Sequence, residues 1–113
     1  MEGMEIFWET HSGLDQEGPG SDASTRHALS LLSPLPPHPE ILDIGCGPGR
    51  QTLVLARETG GRVTAVDTHQ PFLNQLRDRA DKAGVAERLT VLKRPMDALR
   101  LPEEAFDLVW SEG

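Results

Sequence analysis

The sequence predicts a doubly wound α/β fold: a mostly parallel sheet with helices on both faces. Short apolar runs alternate with segments of helical spacing, and only a few residues connect them. Three glycines fall within five positions directly after the first regular run. Strands separated by helices over such short connections run parallel, because each helix carries the chain back to the start of the next strand. Each crossover is expected to be right-handed. In such sheets ligands bind beyond the carboxyl ends of the strands.

Residues 1–20 read as a loosely structured, flexible N-terminal segment. Ile6, Phe7 and Trp8 are apolar, but Glu and Gly surround them, and Gly18-Pro19-Gly20 breaks any regular element. Ser21 or Asp22 suits the N-cap of a helix over residues 22–33, with Ala28, Leu29, Leu31 and Leu32 on its apolar face. Residues 33–40, SPLPPHPE, hold four prolines and form an extended connector.

From Glu40 the pattern becomes regular. Residues 41–44 read as a short buried strand. Pro48 or Gly49 opens a helix that runs to about Glu58 and closes at Gly60-Gly61. Residues 62–67 form a β-branched and apolar strand ending on Asp67. Pro71 suits the first turn of the next helix, whose Phe72, Leu73, Leu76, Ala80 and Ala83 recur at helical spacing up to Gly84. Residues 89–92 and 105–110 supply a third and a fourth strand. The loops to inspect therefore begin at Gly45, Thr68, Lys93 and Ser111.

The bulk numbers describe one domain, residues 21–113, behind the N-terminal segment. The 113 residues are 37% hydrophobic and 26% charged, with a formal net charge of −7. A nucleic-acid groove needs clustered Lys and Arg. Here the densest basic group, Arg77, Arg79 and Lys82, is interleaved with Asp78 and Asp81 and reads as a solvated helix face. No nucleic-acid partner is expected, and the acidic balance disfavours anionic membranes. No stretch reaches the ~18 consecutive apolar residues of a membrane helix. The N-terminus lacks the basic start and apolar core of a signal peptide. Cys46 is the only cysteine, so an internal disulfide and a Cys-based zinc cage are excluded. This usage fits a reducing cytoplasm, and His11, His27 and His38 are scattered without metal-ligand spacing.

The glycine cluster in ILDIGCGPGR carries the functional question. A phosphate-binding Walker loop requires Gly-Lys-Ser/Thr, but Gly49 is followed by Arg50 and Gln51. The dinucleotide pattern G-x-G-x-x-G requires its third glycine at position 50, where Arg50 stands; the glycine arrives one residue early, at Gly49. What remains is a nucleoside ligand approached closely by backbone. Asp67, at the tip of the second strand, can accept hydrogens from both hydroxyls of a ribose. The blander readings stay beside these: a plain tight turn at the glycines, a helix cap at Asp67, and a surface turn at Pro95-Met96-Asp97.

The D-x-G-x-G-x-G of Asp43 to Gly49, with Asp67 after the second strand, Asp97 after the third and the closing FDLVWSEG, resembles the class I S-adenosylmethionine-dependent methyltransferases. The resemblance covers residues 21–113. GPGS, followed by Thr25 and Ala28-Leu29, is also similar to a bacterial small-molecule branch. The resemblance implies a Rossmann-like methyltransferase fold, S-adenosylmethionine as cofactor, and methyl transfer to a small-molecule acceptor. Gly45, Cys46, Gly47 and Gly49 would face the methionine moiety, with Cys46 as a small spacer rather than a nucleophile. A carbonyl near Gly45 would take the ammonium, and Asp43 would support the loop and reach the ammonium through water. Asp67 would hold the ribose diol, and Thr68 or His69 would flank the adenine. Asp97 would accept from the adenine amino group, while the Ala98 amide or Met96 packing completes the purine slot. Ser111 would lie under the methionine portion. Trp110 reads as core or as a wall of the substrate site, and Glu112, past the strand end, as a base or partner for an amine substrate.

The family's sheet has seven strands and four are legible here. The fourth strand is expected to keep an exposed edge, open to pairing with a second copy of the chain. The sequence accordingly reads as the N-terminal, cofactor-binding half of a longer protein. Two rival readings remain, an NAD-type nucleotide-binding domain and a non-catalytic half-domain that assembles with a partner.

Overall fold

The computed structural model describes residues 5–9, 22–32, 34–95 and 106–112, with backbone alone at 5–9 and 112. In chain order the elements are β1 (Glu5–Glu9), α1 (Asp22–Ser30), β2 (Glu40–Ile44), α2 (Arg50–Thr59), β3 (Arg62–Asp67), α3 (Gln70–Ala83), a 3-10 turn (Ala86–Arg88), β4 (Leu89–Lys93) and β5 (Leu108–Glu112). The five strands form one sheet in the order β1-β5-β2-β3-β4, and every pairing is parallel.

Local chemistry sets the element ends. Gly60 and Gly84 close α2 and α3 in the left-handed conformation, their N–H groups returning to the last-turn carbonyls of Ala56 and Ala80. Pro71 sits in the first turn of α3, where no N–H is needed. β2 lies between β3 and β5 and is buried from Ile41 through Ile44, as a strand covered on both faces requires.

Two expectations change. The N-terminal segment was expected to be loose, yet Glu5–Glu9 is a strand in register with Leu108–Glu112. The edge of the fourth predicted strand, expected to be open to a second copy, is therefore paired with this chain's own β1. The run EIFWE shows no alternating pattern; its strand character comes from the ladder it joins, which local propensity does not report. The last strand also starts later and runs further than residues 105–110. Asp107 bends there instead: its N–H donates to the Glu40 carbonyl at 2.7 Å and its Oδ2 accepts from the Glu40 N–H at 2.9 Å. The ladder then runs from Leu108 to Glu112, so Glu112 ends the strand rather than lying past it.

Residues paired across a parallel ladder share a face. One face carries Ile41, Val63, Leu108 and Trp110, packed with Ala28 of α1, Leu55 and Ala56 of α2 and Ala80 of α3. All three described helices thus belong to this face. Right-handed crossovers account for this, because β1, β2, β3 and β4 succeed one another in one direction across the sheet. The path then reverses to put β5 on β2's other side, as in a doubly wound sheet; helices were expected on both faces, and the described ones cover one. The opposite face holds Leu42, Ile44, Val66 and Val109 with Leu92 and Phe106. Trp110, read from the sequence as core or substrate wall, is core: it is fully buried among the helix-facing side chains.

Candidate functional site

The direction reverses between β2 and β5, and the loop at the carboxyl end of β2 stands at that switch point, where open α/β sheets bind ligands. Two bonds fix where the loop leaves the sheet. The Gly45 and Cys46 N–H groups both donate to the Val66 carbonyl, at 2.8 and 3.0 Å. The chain then turns through Gly45 (φ 72°) and Gly47 (φ 59°), left-handed angles that glycine adopts without a Cβ penalty. A Cβ built on either meets nothing within 4 Å, so the loop presents bare backbone to open space.

Gly49 serves a different purpose. A Cβ there would collide with Leu76 Cδ1 of α3. The close contact that a dinucleotide fold assigns to the position of Arg50 is made here by Gly49, between two helices. Arg50 instead points to α1, where it donates to Asp22 Oδ1 at 3.1 Å and Thr25 Oγ1 at 3.0 Å.

Asp67 ends β3 directly beside the loop. Its Oδ2 accepts from the Gly47 N–H at 2.9 Å, and its Oδ1 accepts from the N–H groups of Thr68 (2.7 Å) and His69 (3.0 Å). The helix-cap reading does not hold, because His69 occupies the N-cap of α3 and that cap has no side-chain hydrogen bond. A carboxylate offers about four lone-pair sites. Three are taken by backbone N–H groups, which leaves one site on Oδ2. His69 is exposed, its ring edge-on to Phe72 at 4.4 Å.

Asp43 is fully buried on the helix-facing side of β2. Its Oδ2 accepts from Thr52 Oγ1 at 2.6 Å and Gln51 Nε2 at 3.2 Å. With no accessible surface, it acts on the loop through these neighbours. Cys46 is buried with Ala65, Leu73 and Leu76. Burial, helped by the charges of Asp43 and Asp67, pushes its thiol up to about 12. The thiol is therefore protonated at neutral pH and the residue contributes backbone and packing, since the thiolate is the nucleophilic form.

The structure thus joins Asp43, Gly45, Cys46, Gly47, Gly49, Asp67 and Thr68 in one hydrogen-bonded and packed unit. Ser111, half-buried, stands one strand away in register with Ile44. Met96, Asp97 and Ala98 lie outside the described residues. Sequence reasoning missed Gln51 and Thr52, polar residues of α2 with 8% and 0% exposure. The available signal was spacing: Leu55 follows them by four and three positions, which puts all three on one helix face. A separate cavity of about 500 Å³, lined by Leu29, Leu32, Leu35, Pro36 and Glu58, lies beside the connector that enters β2, at the other end of the sheet from the loop.

Comparison with known proteins agrees with this geometry. A family model described as a methyltransferase domain matches residues 41–113. The chain is 38% identical over 104 residues to the malonyl-[acyl-carrier protein] O-methyltransferase of Salmonella typhimurium, covering 92% of this chain and 36% of that one. It is 29% identical over 107 residues to the methyltransferase GfsG of Streptomyces halstedii, covering 93% and 37%. Among solved structures, geranyl diphosphate C-methyltransferase of Streptomyces coelicolor superposes with a TM-score of 0.71 at 20% identity, over 79% of this chain and 32% of that one. The [4+2]-cyclase SpnF gives the same TM-score and coverage at 27% identity. The chain therefore spans about a third of the length of these relatives. An α/β sheet reversing at β2, an acid-tipped neighbouring strand and a match over most of the chain place this protein in the class I S-adenosylmethionine-dependent methyltransferase family.

Proposed function

We propose that this chain supplies the cofactor cradle of an enzyme that transfers a methyl group from S-adenosylmethionine to a small-molecule acceptor. The observation that carries the reading is the pairing of Asp67 with Gly47 across a loop whose Gly45 and Gly47 leave open space where side chains would stand. That space fits a ligand approached by backbone, and the carboxylate at its rim fits a hydroxyl-bearing sugar. Gly45 to Gly49 would hold the methionine portion, Asp67 the ribose, and Thr68 the approach to the purine. Met96, Asp97 and Ala98 are assigned to the purine slot, and Ser111 to the methionine side, on the sequence pattern. The cofactor, when bound, supplies an electrophilic methyl group; the chain's own residues orient it and exclude water. No protein nucleophile is required for an in-line displacement, in keeping with the protonated Cys46.

The small-molecule acceptor is favoured by the net charge of −7, which opposes approach to a nucleic-acid backbone. Relatives named for small acids point the same way, among them the trans-aconitate 2-methyltransferase of Paracidovorax citrulli at 37% identity. The likeness to SpnF supports a second reading, in which the same cradle serves a reaction other than methyl transfer, since one fold hosts many chemistries.

Calorimetric titration with S-adenosylhomocysteine and with NAD tests the cradle. Binding of the first alone is expected, and binding of NAD alone would remove the reading. Asp67→Ala is expected to cost about 1–3 kcal/mol of S-adenosylhomocysteine affinity through the hydroxyl left without an acceptor. Transfer of a labelled methyl group to small carboxylic acids, against none to RNA, separates the acceptor classes.

A further inference from the structure

We infer that Gln51 is the positioning residue of this site: through the single Cys46–Gly47 peptide, it holds Asp67 in the orientation that receives the ribose. The inference rests on the reading of Asp67 as the ribose ligand.

Gln51 lies in the first turn of α2 with its side chain turned back under the glycine loop. Its Nε2 carries two hydrogens, and both are placed: one on Asp43 Oδ2 at 3.2 Å, the other on the Cys46 carbonyl at 2.9 Å. That carbonyl belongs to the same peptide unit as the Gly47 N–H, which donates to Asp67 Oδ2 at 2.9 Å. A trans peptide is planar, with C=O and N–H pointing in opposite directions. Fixing the carbonyl from behind therefore aims the N–H forward at Asp67. One plane, held at both ends, connects the buried acid of β2 to the half-buried acid of β3.

The loop gives this control something to act on. The Cys46–Gly47 peptide is followed by a glycine at φ 59° and preceded, one residue back, by another at φ 72°. Glycine tolerates rotation of an adjoining peptide plane that other residues resist. The second donor to the Cys46 carbonyl is the Gly49 N–H, at 3.2 Å, from the N-cap of α2. Gln51 is anchored on a helix and on Asp43, which Thr52 holds at 2.6 Å. The Thr68 and His69 N–H groups fix Asp67 Oδ1. Oδ2, the oxygen with a site left for the ligand, depends on the Gly47 N–H. Glutamine is the side chain the geometry calls for. Asparagine is one methylene short, and glutamate would remove both donors and set a second carboxylate beside Asp43.

The test is a double-mutant cycle on the intact chain, read by calorimetry with S-adenosylhomocysteine in the wild type, Gln51→Met, Asp67→Ala and the double variant. Gln51→Met is expected to weaken binding about 5-fold in the wild-type background, the worth of one lost hydrogen bond, and to change little once Asp67 is absent. Equal losses in both backgrounds would make Gln51 merely structural and overturn the inference alone. An Asp67→Ala variant that binds like the wild type removes the ribose reading, and this inference falls with it. Gln51→Asn offers a second readout that needs no ligand. Its Gly47 amide is expected to exchange with solvent about tenfold faster than in the wild type, as local opening becomes easier; unchanged protection counts against the role.

Discussion

Three glycines close in sequence carry two different loads. Gly45 and Gly47 hold left-handed angles over open space, whereas Gly49 lies against Leu76. Alanine at Gly45 is therefore expected to cost about 1–2 kcal/mol of stability from the backbone alone and to reduce ligand affinity. Alanine at Gly49 carries that backbone cost plus the displacement of Leu76, so its melting temperature should fall further; equal losses in thermal unfolding would contradict the distinction. Cys46 gives a pH-dependent counterpart. Burial pushes its thiol up to about 12 in the fold, from an ordinary value of 9.0. Between those values the unfolded chain releases a proton that the folded chain keeps, so this contribution is complete below pH 9 and lost as pH rises toward 12. Iodoacetamide at pH 8 should accordingly alkylate Cys46 far more slowly in the native protein than in urea. Equal rates would show the thiol to be neither buried nor shifted.

The helices differ in how they are tied to the site. Arg50 links the first turn of α2 to Asp22 and Thr25 of α1, with its side chain 26% exposed. Arg26, in the middle of α1, pairs with Glu58 near the end of α2, but at 49% and 44% exposure. Solvent-exposed pairs contribute little. Arg50→Ala should thus lower stability by about 1 kcal/mol while Arg26→Ala changes it by a few tenths, a contrast that urea titration resolves. Most elements were legible because local chemistry marks their ends. Gly60, Pro71 and Gly84 punctuate α2 and α3, and β3 runs from Arg62 to Asp67 as its β-branched pattern suggests. β1 was not legible, because Glu5–Glu9 acquires its conformation from β5. The late start of β5 was hidden too, since it follows from Asp107 exchanging bonds with Glu40, far away in sequence.

At the scale of the whole molecule, the sheet places the acid of one strand beside the loop of its neighbour. The β2–β3 register sets Ile44 opposite Val66, so the chain leaves β2 where β3 presents the Val66 carbonyl and then Asp67. The candidate residues Asp43, Gly45, Gly47 and Asp67 could be chosen from motif spacing. The support beneath them could not. Gln51 and Thr52 look like solvent-facing polar residues until α2 is seated on the sheet with its first turn under the loop. β1 belongs to this scale as well, because it pairs the outer edge of β5. Deleting residues 1–9 should expose that edge, lower the urea midpoint and promote association at high concentration. A truncated chain with unchanged midpoint and sedimentation would deny β1 that part.

Whether the bend after β2 and the acid ending β3 form one adenosyl-binding cradle is decided by an amide-resolved NMR titration with S-adenosylhomocysteine. Perturbations are expected to concentrate at Gly45, Cys46, Gly47, Asp67 and Thr68. If instead the shifts gather at Leu29, Leu32 and Leu35, around the cavity at the opposite end of the sheet, the ligand binds there and the loop after β2 is not its cradle.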